Sequence, residues 1–97
     1  YAVIVATGAS AVKPKSIEGV NGSNVFTSTD ILSGKVMLSG QNIAVIGSGL
    51  TGIETAELLI KQNNRLTVVE MAKEIAPTAW FQHKIDILPK LVAADTK

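Results

Sequence analysis

Ile43-Ala44-Val45-Ile46-Gly47-Ser48-Gly49-Leu50-Thr51-Gly52, continued as far as Leu66-Thr67-Val68-Val69-Glu70, is the stretch that decides how this chain folds. Ile43 to Ile46 is a short β-branched run and reads as a strand. Gly47, Gly49 and Gly52 follow in the spacing G-x-G-x-x-G. From Leu50 to about Gln62 the pattern becomes helical, with Ile53, Ala56 and Ile60 forming one apolar stripe. Glu54, Glu57 and Lys61 line the other face, and Glu57 with Lys61 makes a favourable i,i+4 pair. Asn63 or Asn64 supplies a residue that tolerates the left-handed conformation ending a helix. Leu66 to Glu70 then reads as a second strand. Strand, helix and strand in close order predict a βαβ unit with parallel strands.

Each glycine of the loop has a physical task. Gly47 makes the tight turn off the strand, Gly49 lets a pyrophosphate approach the backbone, and Gly52 lets the helix pack closely. The helix start aims free N–H groups and a positive dipole end at phosphate oxygens. Ala56 is a second small residue at the helix–sheet contact, and Glu70 ends the next strand, where a carboxylate accepts from an adenosine ribose. The expected fold is therefore α/β, a partial Rossmann fold with a mostly parallel sheet. The bland alternative is a turn that merely needs glycines. A phosphate-binding P-loop is disfavoured because Ile53-Glu54, not Lys-Ser/Thr, follows Gly52. The glycine spacing also fits a methyltransferase less well.

Composition agrees with a single small α/β unit. The chain has 97 residues, is 46% hydrophobic and carries a net charge of +1. So small a charge leaves no electrostatic footprint for nucleic acid or a bilayer surface. With no cysteine and one histidine, neither a thiol nucleophile nor a metal site is expected. No apolar run approaches the roughly 20 residues of a membrane helix, and no signal peptide is expected. The expectation is a soluble, cytoplasmic protein. The chain opens at Tyr1 inside an apolar run and stops at Thr96-Lys97, so it is read as a segment of a longer protein.

The flanks are less regular. Tyr1 to Ala6 is an almost uninterrupted apolar run, suited to a strand buried on both faces and stopped by Thr7-Gly8. Residues 9 to 33 lose periodicity and are punctuated by Pro14, Gly19, Asn21-Gly22 and Ser23-Asn24. Within them Val25-Phe26-Thr27 suggests an extended piece, and Ser28 to Leu32 a helical turn capped by Ser28 or Thr29. Gly34 to Ser39 suggests a short strand before a turn at Gly40-Gln41-Asn42. Beyond Pro77 and a Thr78 cap, Phe81, Ile85 and Leu88 carry a helical period that Pro89 is expected to end or kink near Leu88.

Two motifs, in order, resemble the two-dinucleotide flavoproteins of the pyridine nucleotide–disulfide oxidoreductase type. Val3-Ile4-Val5-Ala6-Thr7-Gly8 is similar to the apolar strand ending in Ala-Thr-Gly that leaves the FAD-binding domain near the flavin. Ile43 to Glu70 is similar to the inserted NAD-binding unit. The resemblance divides the chain into 1–8, the exit of the FAD-binding domain; 9–40, a connection; and 41–97, the first half of the NAD-binding domain. Gly52-Ile53-Glu54-Thr55-Ala56-Glu57-Leu58 and Val68-Val69-Glu70-Met71 resemble one branch especially, the NADH:flavin oxidoreductases related to old yellow enzyme, such as 2-enoate and 2,4-dienoyl-CoA reductases. That branch implies an upstream flavin barrel with FMN and an iron–sulfur cluster. Asn63-Asn64 stand where the family has glycine at the helix end, and Pro89 interrupts a helix expected to run on.

The function implied is an NADH-binding segment of an enzyme that passes hydride from NADH to bound flavin. Gly47, Ser48, Gly49, Leu50, Thr51 and Gly52 are the candidate cofactor-binding residues around the pyrophosphate, through backbone N–H groups and the Thr51 hydroxyl. Glu70 would select NADH over NADPH, and Thr7 and Gly8 would lie near FAD. The expected partners are the dinucleotide and the remaining FAD and NAD domains of the same chain. Lys73 is placed to reach a 2′-phosphate but reads as surface, as do His83, Lys13 and Lys15. Trp80 and Phe81 read as core or an interface. No acid, base or nucleophile is a candidate for catalysis, so the segment alone is not expected to turn over. The rival reading is a non-catalytic Rossmann module that senses a dinucleotide or serves interaction.

Overall fold

A computed structural model describes residues 1–77 and 79–97. Five elements are described: α1 (Ser28–Leu32), β1 (Asn42–Ile46), α2 (Leu50–Lys61), β2 (Arg65–Val69) and α3 (Phe81–Ala93). β1 and β2 pair in parallel, with Asn42 opposite Arg65 and Ile46 opposite Val69. The ladder is prolonged at both ends, where Arg65 N–H donates to Gln41 O and Gly47 N–H donates to Val69 O, each over 2.8 Å. At its other edge β2 meets Lys97, whose N–H donates to Leu66 O while its carbonyl accepts from Val68 N–H. That alternation is the bonding of a parallel ladder, so Lys97 stands where a third strand would lie.

α2 packs on the sheet, and α1 and α3 pack against α2. The core joins Ile53, Ala56 and Leu59 of α2 to Leu66, Ile31, Ile87, Leu91 and Ala76. Ala56 is fully buried, which is the small-residue contact its position predicts. Leu59 rather than Ile60 completes the stripe, since Ile60 is only half-buried. Ile43 and Val45 turn toward this core, whereas Ile46 and Val69 sit on the uncovered side of the sheet. Asn63 takes φ 61° and ends α2, as expected of one of the two asparagines. Asn64 is buried, and its amide donates to Leu38 O and Leu59 O while its Oδ1 accepts from Gln41 N–H. One side chain thus ties the end of α2 to the segment entering β1.

Several expectations for the flanks are corrected. Tyr1 to Ala6 forms no strand; its side chains are exposed, and no hydrogen bond among the described residues joins 1–12 to the rest. An apolar run becomes a strand only beside a partner that takes its N–H and C=O groups. Gly34–Ser39 is likewise not a strand, whereas Thr27 does have the extended backbone expected of its segment. α1 is capped by Thr27, not Ser28 or Thr29, because Thr27 and Asp30 satisfy each other's backbone N–H in a capping box. The Thr78 cap expected for α3 falls outside the described residues, and Trp80 is the cap of that helix.

α3 also runs through Pro89 to Ala93. Pro89 removes one hydrogen bond, but Ile87 and Leu91 on either side of it are anchored against the core. Lys90 adds bonds to Glu57 of α2 and Asp86, at 2.9 and 2.8 Å. Burial of two large side chains outweighs one missing bond on an exposed surface. The face chosen differs too: Phe81 and Ile85 point outward, and Leu88 is half-buried.

Candidate functional site

The site is built where β1 ends. Gly47 takes φ +92°, a conformation other residues rarely adopt, and turns the chain off the strand as its position predicts. Gly49 precedes α2 with φ −60° and ψ 176°, and no side chain caps the helix. The first intrahelical bond runs from Ile53 N–H to Gly49 O. The N–H groups of Leu50, Thr51 and Gly52 therefore have no partner within the helix and face outward at its positive end. A Cβ on Gly52 would overlap the Gly47 carbonyl oxygen and lie 3.0 Å from its carbon. The close packing assigned to Gly52 is thus a contact with the loop itself, at the point where it leaves the strand.

Ser48 and Glu70 are joined. Ser48 is fully buried, and its N–H and hydroxyl both donate to Glu70 Oε2, over 2.9 and 2.6 Å. The Ser48 oxygen in turn accepts from Ala76 N–H at 2.8 Å. Glu70 Oε1 accepts from Ala72 N–H at 2.9 Å. The Ser48 hydroxyl, then the Ala72 and Ser48 N–H groups, hold the Glu70 carboxyl down to about 2 against a small opposing cost of desolvation. The carboxylate is ionised across the whole physiological range and fixed beside the loop.

The structure thus brings together Gly47 to Gly52 and Glu70 at one end of the sheet. Two N–H groups counted toward the pyrophosphate are already used: Gly47 donates to Val69 O and Ser48 to Glu70. Thr51 is exposed beside the free amides. Thr7 and Gly8 lie in the exposed segment 1–12, with no hydrogen bond to this loop. Sequence reasoning missed Ser48 as a buried hub. The only sign of it was a hydroxyl between two glycines, opposite a strand-end acid.

Comparison with known proteins adds a separate line of information. Residues 1–87 match the sequence pattern of the family described as pyridine nucleotide-disulphide oxidoreductase. An NADH oxidase of Thermoanaerobacter brockii is 43% identical over 77 residues, covering 76% of this chain and 12% of that protein. A bilirubin reductase of Mediterraneibacter gnavus is 47% identical over 74 residues, 76% of this chain and 11% of that protein. The solved structure of a 2-naphthoyl-CoA reductase in complex with 2-naphthoyl-CoA superposes with a TM-score of 0.81 at 32% identity, over 95% of this chain and 14% of that chain. The chain thus spans about an eighth of the length of the first two of these relatives.

Proposed function

The chain belongs to the pyridine nucleotide-disulphide oxidoreductase family, and on that premise we propose that it is the NADH-binding segment of a longer flavoprotein oxidoreductase. The observation that carries this reading is the pairing of an uncapped helix start with a fixed, ionised carboxylate at the same sheet end. The free N–H groups of Leu50, Thr51 and Gly52 suit the pyrophosphate, with Gly49 leaving room and the Thr51 hydroxyl at hand. Glu70 keeps acceptor capacity on Oε1 for an adenosine ribose hydroxyl. When bound, the dinucleotide supplies hydride to the flavin. This chain's residues bind and orient it, and none acts as acid, base or nucleophile.

FAD would be held outside this segment, with Thr7-Gly8 at the exit of its domain. The strand expected at Tyr1–Ala6 would then pair with that domain. The wording of residues 52–58 and 68–71 is what supports placing the whole protein in the branch related to old yellow enzyme, with FMN and an iron–sulfur cluster upstream.

Titration with NADH and NADPH tests the reading. NADPH brings a phosphate of nearly two negative charges against Glu70, so NADH is expected to bind roughly tenfold to a hundredfold more tightly. Amide shifts should concentrate at Leu50 to Gly52 and around Glu70. Equal affinities for the two nucleotides, or a preference unchanged in Glu70→Ala, would remove Glu70 from selection. Shifts confined to Lys13–Lys35 would reject the site.

A further inference from the structure

We propose that Ser48 is a positioning residue for nucleotide selection: it clamps Glu70 Oε2 to the glycine loop and leaves Oε1 as the oxygen that meets the ribose. This rests on the dinucleotide reading above. Both donors of Ser48, backbone and side chain, converge on one carboxylate oxygen. Two donors fill the acceptor sites of Oε2. Oε1 has Ala72 N–H as a partner and keeps room for one hydroxyl. A pyrophosphate and its adenosine ribose are separated by fixed covalent geometry. A carboxylate bonded to the loop that faces the phosphates is therefore held at a set place relative to both groups.

The same hydroxyl closes the turn after β2. Ala76 is fully buried at φ 54°, a left-handed conformation that disfavours alanine, and its N–H donates to Ser48 Oγ. The oxygen of Ser48 thus donates once and accepts once, and both bonds are internal. Removing it leaves Glu70 held by the Ser48 and Ala72 N–H groups alone, and leaves the Ala76 N–H buried without a partner. The turn from Glu70 to Ala76 and the glycine loop are thus joined through one oxygen atom.

The test is a double-mutant cycle in the full-length protein, read as the ratio of NADPH to NADH KM for flavin reduction. Ser48→Ala is expected to lower that ratio about fivefold, part of the tenfold or more supplied by Glu70. In the Glu70→Ala background the same substitution should change it less than about twofold, because the residue it acts through is gone. Ser48→Cys, which fills the site with a weak donor, serves if the alanine variant does not fold. The carboxyl carbon of Glu70, followed by NMR, should titrate at a higher pH in either variant than in the native protein. An unchanged ratio in Ser48→Ala, or an equal fall in both backgrounds, would overturn the proposal while leaving the NADH reading in place. A Glu70→Ala variant that keeps the native ratio would overturn the proposal together with Glu70's part in selection, whereas amide shifts confined to Lys13–Lys35 would overturn the NADH-binding site itself.

Discussion

Gly52→Ala puts the packing of the loop to the test. The added Cβ would overlap the Gly47 carbonyl oxygen and stand 3.0 Å from its carbon. To restore an ordinary carbon–carbon contact the carbon must retreat by about 0.5 Å, and the oxygen by more. The obstacle is backbone, held at its other side by the Gly47 N–H bond to Val69 O, so no side chain can simply rotate away. Overpacking of this kind costs about 1–3 kcal/mol. Alanine returns at most about 1 kcal/mol as the better helix former, and less in a first turn. The expected net loss is about 1–2 kcal/mol, or roughly 5–15 °C in Tm for a domain of this size. Gly49→Ala is the comparison, because φ −60° suits alanine; a poorer cap should cost only about 0.5 kcal/mol. Urea unfolding followed by circular dichroism measures both. A Gly52→Ala variant as stable as the native chain, or a Gly49→Ala variant losing as much, would refute the assignment of close packing to Gly52.

Acid should weaken the latch between Ser48 and Glu70. Folding lowers the Glu70 carboxyl from 4.5 to about 2, so its contribution is full above the higher value and is lost as pH falls through the lower. The urea midpoint of the native chain should exceed that of Glu70→Gln at pH 7 and converge with it near pH 2; a gap independent of pH would contradict this. Asn64→Ala removes three side-chain hydrogen bonds, of which the one to Leu59 O is buried, and should cost about 1–2 kcal/mol in the same unfolding assay, against a negligible change if water replaces the amide. Pro89→Ala restores an N–H within α3 and should stabilise the chain by about 1–3 kcal/mol, and a thermal melt showing no gain would mean that the helix has already adapted.

Reading the residues alone located β1, the glycine turn, α2 and β2 to within a residue or two. Those features depend on neighbours in sequence: β-branched runs favour strands, a 3.6-residue period favours a helix, and only glycine takes φ +92° readily at Gly47. Asn63 as the left-handed end of α2 and the Glu57–Lys61 pair, 3.2 Å apart, were legible for the same reason. The Tyr1–Ala6 run was misleading because its strand propensity is expressed only beside a partner. Pro89 misled in the opposite sense, since the local penalty was outweighed by contacts of Ile87 and Leu91 with residues distant in sequence. Which apolar face of α3 turns inward was decided by α2, not by period. The same holds for the site. Ser48 and Glu70 lie 22 residues apart, and only the pairing of β1 with β2 brings that hydroxyl to that carboxylate. Backbone conformation is set largely by short-range sterics, whereas the partner a polar side chain finds depends on what the folded chain places within 3 Å of it.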